Sequence, residues 1–289
     1  MAVLALLSAK GSPGVTTAAL ALTLTWPGRC VLAECDPAGG SIQAGYLAGA
    51  LPADRGIREL AVAELRGDEL HETWWGQLVD LQPPRLQRLL LPGISDPVQS
   101  GALRPVWGRL AEFFAELGSG QPGFDVIVDC GRLAAPNSPW PLLHRADAVL
   151  LLVRPSLPGL SAAIPTLRTL HSQLAEHATG PVSLGLLVAG PGDQPVRTVA
   201  DQLRHPVVAT LPDDPRTARV LGHGGSVRLN SPLIRAAAAA HPKLVAQRPA
   251  RTAGAPAAPT AAASPAAKPA ASPDAGQTSG TEPEASHAS

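Results

Sequence analysis

The stretch "SAKGSPGVTT", Ser8–Thr17, lies between an apolar run and a segment rich in alanine and leucine. The apolar run "AVLALL" (2–7) predicts a buried strand, and "TTAALALTLTW" (16–26) predicts a helix. A strand that leads through a short glycine-containing turn into a helix is the local arrangement of a phosphate-binding loop. It is also an ordinary strand-to-helix turn, and this stretch alone does not distinguish the two.

Small residues make this turn suited to an anion. Gly11, Ser12 and Gly14 would let backbone N–H groups converge on a phosphate, and the helix N-terminus would add its positive dipole end. The hydroxyl of Thr16, in the first turn of the predicted helix, is then positioned to reach a magnesium ion. The turn therefore predicts phosphate binding if other parts of a nucleotide site accompany it.

Short apolar runs alternate with helix-like stretches along most of the chain. The predicted strands cover 2–7, 30–34, 86–93, 124–129, 147–155, 182–190 and 206–212, and the predicted helices cover 16–26, 56–65, 97–117, 160–177 and 194–204. Continuous apolar strands separated by helices predict an α/β fold of three layers, a doubly wound and mostly parallel sheet with helices on both faces. Such sheets bind ligands at the carboxyl ends of their strands.

Acidic residues follow two of these strands. Glu34-Cys35-Asp36-Pro37 comes after the second strand, and Asp129 ends the apolar stretch "FDVIVD". A carboxylate beside a phosphate loop can bind magnesium through water or orient an attacking water molecule. Asp-Pro is also a common turn, and an isolated "VIVD" specifies little. The loop and both acids together, each at a strand end, favour a nucleotide site over a turn without a ligand.

The composition changes near residue 246. From Ala246 to Ser289 the chain has no Val, Ile, Leu, Met or aromatic residue. Such a segment cannot bury enough apolar surface to offset its ordering entropy. We therefore predict an α/β domain over 1–245 and a disordered tail, rich in alanine and proline, over 246–289.

Charge and cysteine content narrow the function classes. The formal net charge is zero, which gives no electrostatic support for DNA binding. The three cysteines show no CxxC spacing, so we expect free thiols rather than a zinc site or a disulfide framework. The apolar start of the chain is too short for a signal peptide, and the sequence has no apolar window of transmembrane length. We expect a cytoplasmic protein without an integral membrane segment.

Two further segments carry structural expectations. Trp74 and Trp75 are adjacent and cannot share one helix face, so one should pack in the core while the other is exposed. The stretch "RAAAAAHPK" (235–243) is interpreted as a frayed helix end. The eight histidines show no HxH or HExxH spacing, which favours surface roles over metal binding.

Four segments in combination resemble the ParA/MinD family of P-loop ATPases. Lys10-Gly11 followed by Gly14-x-Thr16-Thr17 resembles the family's deviant Walker A motif, K-G-G-x-G-K-[ST]-[ST]. "VLAECDPAGGS" resembles its switch I segment D-x-D-P-Q, "FDVIVDCGR" resembles Walker B with switch II, and "LPDDPRTARVLGHGGSVRLNSPLIRA" (211–236) is similar to the end of MinD-type domains. The resemblance spans about residues 1–240 and implies a P-loop NTPase fold of the SIMIBI type.

The resemblance assigns a role to each matching position. It implies that Lys10 reaches the phosphates of a partner subunit across a nucleotide-sandwich homodimer, that Asp36 orients the attacking water, and that the cofactors are ATP or ADP with Mg²⁺. Glu34 replaces the first aspartate of switch I. The implied metal-binding residues are Thr16, Asp36 and Asp129, and the implied nucleotide-binding residues are Gly11, Ser12, Gly14, Val15, Thr16, Thr17, Pro212 and Asp213.

Departures from the motif bear on activity. Val15 stands where the family has the lysine that grips the β- and γ-phosphates, and Ala9 replaces the first glycine of the standard pattern. Valine carries no charge and donates no hydrogen bond, whereas the backbone amides of the loop remain. Pro13 removes one such amide. We therefore expect weak nucleotide binding and slow or absent ATP hydrolysis, unless Lys10 compensates.

Three functions remain open on the sequence alone. The first is a ParA/MinD-like nucleotide switch that positions a cargo in partitioning, septum placement, or a pilus or secretion apparatus. The second is a degenerate localisation scaffold of the CpaE/TadZ kind that does not hydrolyse nucleotide. The third, ranked last, is a metabolic synthetase of the dethiobiotin or cobyrinate type. We expect a homodimer that binds a partner protein, since neither a DNA-binding charge nor a membrane-binding amphipathic helix is evident.

Overall fold

A computed structural model describes residues 2–247 of the protein except for 11–13, 50–54, 120–122 and 134. The strands are β1 (Val3–Ser8), β2 (Cys30–Glu34), β3 (Val79–Asp80), β4 (Arg88–Leu91), β5 (Asp125–Arg132), β6 (Ala148–Val153), β7 (Ser183–Ala189) and β8 (Val207–Leu211). The helices are α1 (Val15–Thr25), α2 (Ile57–Arg66), α3 (Leu70–Gln77), α4 (Ser100–Leu103), α5 (Trp107–Ser119), α6 (Trp140–His144), α7 (Leu157–His177), α8 (Val196–Leu203), α9 (Pro215–His223) and α10 (Pro232–Val245).

Within this described part, eight strands form one sheet in the order β3-β4-β2-β5-β1-β6-β7-β8. All neighbouring strands are parallel except the short β3, which runs antiparallel to β4. Strand β1 lies between β5 and β6. After β1 the chain first forms β2 to β5, on one side of β1, and then β6 to β8, on the other side. A crevice forms where the strand order reverses in this way, and β1 ends at that crevice.

Alternation along the strands divides the core between the two faces of the sheet. Val3, Ala5 and Leu7 of β1 face one buried cluster, which α2 to α8 cover, whereas Leu4 and Leu6 face the other. That second cluster is covered by α1, α9 and α10. Successive side chains of a strand point to opposite faces, so both faces of an apolar strand must be covered. The predicted three-layer, mostly parallel α/β fold is confirmed.

Local differences from the predicted elements have physical reasons. The sequence analysis did not predict α3 or β3; β3 has two residues, too few to show alternation. The predicted helix over 97–117 is interrupted by 3-10 turns at Pro97–Gln99 and Arg104–Val106, each of which contains a proline. The two adjacent tryptophans divide as predicted, because Trp74 is buried and Trp75 is 59% exposed.

The stretch 235–243 is not a frayed end. It lies inside α10, which buries Ala237, Ala240 and Leu244 against the sheet and α1. Pro242 falls within this helix. The frayed-end interpretation was wrong because small alanines gave no visible amphipathic pattern, although they allow α10 to pack closely. Helix α10 ends where the predicted domain boundary falls, and residues 248–289 of the predicted tail lie outside the described residues.

All three cysteines are buried and form no disulfide in the described part of the chain. Among the described residues, no helix combines the length and the hydropathy required to cross a membrane.

Candidate functional site

The N-terminus of α1 and the end of β5 meet through one short hydrogen bond. Gly14 adopts a left-handed backbone (φ 89°, ψ 44°) and directs the chain into α1, which begins at Val15. Oγ1 of Thr16 then donates to Oδ2 of Asp129 at 2.6 Å, and the other carboxyl oxygen of Asp129 accepts from the N–H of Gly131 at 3.0 Å. Two of the three residues predicted to bind magnesium are thus in contact, although 113 positions separate them.

Asp36 joins this pair through close contact with Gly131. Gly131 has a φ of +61°, and a Cβ added there would lie 2.0 Å from Cγ of Asp36. The half-buried Asp36 accepts a hydrogen bond from the N–H of Ala38 at 2.8 Å. A side chain at position 131 would therefore displace the Asp36 carboxyl group. The end of β2 and the end of β5 bring both predicted acids to one place.

Burial dominates the ionisation of these acids. Asp129 is 1% exposed, and burial raises its pKa to about 7 despite the hydrogen bonds from Thr16 and Gly131. Burial also raises the pKa of Asp36, while the Ala38 N–H and the nearby Arg132 lower it. Glu34 and Asp36 raise the pKa of Asp129 further because like charges disfavour ionisation. A divalent cation at this edge would relieve that repulsion.

Glu34, which the resemblance aligns with the first aspartate of switch I, uses both carboxylate oxygens to accept backbone hydrogen bonds. Its Oε1 accepts from the N–H groups of Ser41 (2.8 Å) and Ile42 (3.0 Å), and its Oε2 accepts from the N–H of Gly93 (3.2 Å). Burial raises its pKa, and these three hydrogen bonds oppose that shift. Glu34 therefore joins the segment after β2 to the segment after β4. The sequence analysis missed this role, for which a glutamate that ends a buried strand was the available signal.

A cleft of about 150 Å³ opens beside the N-terminus of α1. Gly14 and Thr17 line it, together with Gly190 after β7 and with Pro212 and Asp213 after β8. These walls bring the start of α1 together with Pro212 and Asp213, which the resemblance assigns to nucleotide binding. The adjacent Asp214 has a structural task instead, since its carboxylate accepts from the N–H and Oγ1 of Thr217 and caps α9.

Val15 and Lys10 lie apart from these contacts. Val15 is 6% exposed and packs in the core cluster beneath α1, so this position contributes apolar surface rather than charge. Lys10 is exposed and lines a second cleft, of about 290 Å³, between the end of β1 and the start of α7. Gly11 and Ser12 lie outside the described residues. A residue that the sequence analysis did not single out, Arg154, lines both clefts; its signal was a cation directly after an apolar strand.

The side chains at this site fit a magnesium ion that takes its remaining ligands from water and from nucleotide phosphates. Among the described residues, no group of three or more His, Cys, Asp or Glu side chains is arranged to hold a metal ion. Magnesium usually keeps several waters and takes one or two protein ligands together with substrate phosphates. The Thr16 hydroxyl and the buried Asp129 carboxyl group fit that arrangement.

No protein-family model and no curated protein sequence matches the chain. Solved structures do match. The chain is similar to MinD in the MinC:MinD cell division complex of Aquifex aeolicus, with a TM-score of 0.65, 16% identity and coverage of 85% of this chain and 96% of that chain. For the septum site-determining protein MinD with Mg-ADP from Pyrococcus horikoshii, the TM-score is 0.62, the identity 18% and the coverage 84% and 93%. For a ParA family ATPase from Chlorobium tepidum, the TM-score is 0.59 and the identity 17%, with coverage of 82% of this chain and 97% of that chain. The fold is that of the MinD and ParA ATPases.

Proposed function

We propose that the protein is a MinD/ParA-like nucleotide switch that binds ATP or ADP with Mg²⁺. The observation that carries this proposal is the contact of Thr16 with Asp129 at the N-terminus of α1, beside the cleft lined by Gly14 and Pro212. Thr16, Asp36 and Asp129 would hold the metal. The nucleotide would be bound by Gly11, Ser12, Gly14, Val15, Thr16, Thr17, Pro212 and Asp213, Val15 only through its backbone.

Hydrolysis by this site would be slow or absent. Bound Mg-ATP supplies a transferable phosphoryl group and a cation that offsets the charge of its oxygens. Asp36 would orient the attacking water, but the buried Val15 side chain offers no charge to the phosphates. Exposed Lys10 is available to a second copy of the chain, so the proposal includes a homodimer in which Lys10 acts across the interface.

The proposed task is to position a cargo through a partner protein. The MinD neighbour from Aquifex aeolicus forms a complex with another protein, MinC. A formal net charge of zero supports a protein partner over DNA, because DNA affinity depends on neutralising phosphates with cations. The cargo, whether a partitioning, septum-placement, pilus or secretion apparatus, would be set by the partner.

One observation favours a second candidate, a scaffold that does not hydrolyse nucleotide. Val15 is part of the hydrophobic core rather than of an open loop, so the position has been incorporated into packing. Such a protein would keep the fold and the partner surface without a nucleotide cycle. The two candidates differ in whether ATP changes the oligomeric state.

Calorimetric titration of the purified full chain with Mg-ATP and Mg-ADP, combined with light scattering, tests the proposal. We expect measurable ATP binding that Asp129→Asn weakens by about tenfold, because that variant removes a charge that would act on magnesium. Asp201→Asn, on an exposed position of α8, is the matched control and should bind like the wild type. Dimerisation that depends on ATP supports the switch, and a dimer indifferent to nucleotide supports the scaffold.

Two results would contradict the proposal. The absence of binding to both nucleotides would remove the nucleotide switch altogether. Rapid Mg²⁺-dependent turnover that Asp129→Asn abolishes would contradict the slow-hydrolysis part, since it would show that the site needs no lysine at position 15.

A further inference from the structure

Arg154 follows directly after β6 at the edge of the sheet that carries the candidate site. Strand β6 pairs with β1, and Ser8 is the register partner of Leu152, so Arg154 is level with Lys10 just beyond the paired ends. Resting on the proposed function, we infer that the Arg154 guanidinium binds the phosphate groups of the nucleotide. In this arrangement Arg154 supplies the positive charge that Val15 cannot.

The position of Arg154 between two clefts supports this role. It lines the cleft that contains Gly14 and Thr17 at the start of α1, and it also lines the cleft that contains Lys10. Arg154 therefore borders the cleft beside Lys10 as well as the cleft beside Gly14. The corresponding lysine of a standard phosphate loop would have to emerge from position 15, which faces the core here.

Close glycine contacts fix the backbone of Arg154. A Cβ added to Gly159, in the first turn of α7, would lie 2.4 Å from the Arg154 carbonyl oxygen, which also accepts from the N–H of Ser156 at 2.8 Å. A Cβ added to Gly192 would lie 2.0 Å from the carbonyl oxygen of Pro155. These contacts hold the Arg154–Pro155 segment between α7 and the loop after β7. Close packing therefore fixes the backbone position from which the Arg154 side chain extends.

A third glycine lies beside the side chain itself. A Cβ added to Gly190, after β7, would lie 3.6 Å from Nε of Arg154, so the arginine passes directly along this glycine. Gly190 and Arg154 both line the cleft beside α1. The Arg154 side chain thus lies against the side of the proposed nucleotide cleft that follows β7.

The chemistry of arginine matches this task. A guanidinium stays protonated at physiological pH and presents five N–H donors in a planar fork that suits phosphate oxygens. The carboxylate of Asp214, which lines the same cleft, accepts from Thr217 and from the N–H of Leu233. A nucleotide phosphate would bring to the cleft a larger negative charge than one carboxylate does.

Calorimetric titration of the full chain and of Arg154→Gln, each with Mg-ATP and with adenosine, tests the inference. We expect Arg154→Gln to raise the Kd for Mg-ATP by about tenfold or more, in line with the loss of a charge-assisted hydrogen bond, and to leave the Kd for adenosine within about twofold. The Kd of Arg154→Lys for Mg-ATP should lie between those of the wild type and Arg154→Gln, since lysine keeps the charge but lacks the planar fork of donors. Arg168→Gln, at an exposed position of α7, is the matched control.

Further measurements separate this inference from the proposed function. Because Arg154 is exposed, the melting temperature of Arg154→Gln should stay close to that of the wild type. If the melting temperature falls, two other measurements test the inference: the salt dependence of the wild-type Kd for Mg-ATP, and the titration of Arg154→Lys. Wild-type binding of Mg-ATP with an unchanged Kd in both Arg154 variants overturns the inference alone. An equal loss of Mg-ATP and adenosine binding in Arg154→Gln also overturns it, whereas a wild-type protein that binds no nucleotide overturns both proposals.

Discussion

The carboxyl group of Asp129 is buried within the central strand β5, and it accepts two hydrogen bonds that favour its ionised form. Burial prevails and raises its pKa to about 7, against an ordinary value near 3.8. The folded apoprotein therefore retains a proton on Asp129 over a pH range in which the unfolded chain has lost it. Folding and metal binding place opposite demands on this residue, because a cation needs the charge that burial penalises.

The first prediction concerns the pH dependence of stability without metal or nucleotide. Because the folded pKa exceeds the unfolded value, stability falls as pH rises from about 4 to 7, and the loss is complete above pH 7. Each pKa unit corresponds to about 1.4 kcal/mol, so we expect the wild type to lose about 2–3 kcal/mol more than Asp129→Asn between pH 5 and pH 8. Chemical unfolding in EDTA at both pH values measures this difference. Parallel pH profiles for the two proteins would contradict the prediction.

At the scale of elements, loops rather than strands connect the parts of the site. Glu34 ends β2 and accepts three backbone hydrogen bonds from two segments, one after β2 and one after β4. Gly40 and Gly93 make this approach possible, since a Cβ on Gly40 would lie 2.9 Å from Cα of Gly93. A glutamate thus serves as a loop clamp at a position where the resemblance implies an aspartate.

The second prediction is that Glu34→Gln destabilises this connection. The amide group of glutamine would face an N–H donor at Ser41 or at Gly93, which leaves a buried donor without an acceptor. We expect a loss of about 1–3 kcal/mol in the free energy of unfolding and faster hydrogen exchange over 39–45. Glu69→Gln, at the exposed N-terminus of α3, should change stability by less than about 0.5 kcal/mol. Unchanged exchange in Glu34→Gln would show that the clamp is not needed.

At the scale of the whole molecule, the sheet was the most predictable part. Strands β1, β2 and β5 to β8 coincide with apolar runs of the sequence, and such runs predict strands that are covered on both faces of a sheet. Asp36 and Asp129 were predictable as candidate site residues because Asp129 ends such a run and Asp36 follows one closely. The hydrogen bonds of Glu34 and the placement of Arg154 beside the cleft were not, because each depends on backbone that approaches from distant segments, such as Gly93 or Gly190.

The third prediction, on the C-terminal segment, rests on composition. Removal of residues 248–289 should leave the melting temperature within about 2 °C of the full chain, because 246–289 contains no Val, Ile, Leu, Met or aromatic residue to bury. Calorimetric scans of the full and shortened chains measure the difference. A markedly lower melting temperature for the shortened chain would contradict the predicted division at residue 245.

The segment that begins at Asp36 packs closely against two other parts of the protein. Gly40 lies against Gly93 near β4, and a Cβ added to Gly45 would lie 2.3 Å from the carbonyl oxygen of Gly222 in α9. Contacts this close tolerate little sliding, since interiors are tightly packed. The segment can therefore leave its place by separating from both neighbours, but it cannot shift by small steps. A rearrangement that moves this segment would accordingly break its contacts near β4 and at α9 together.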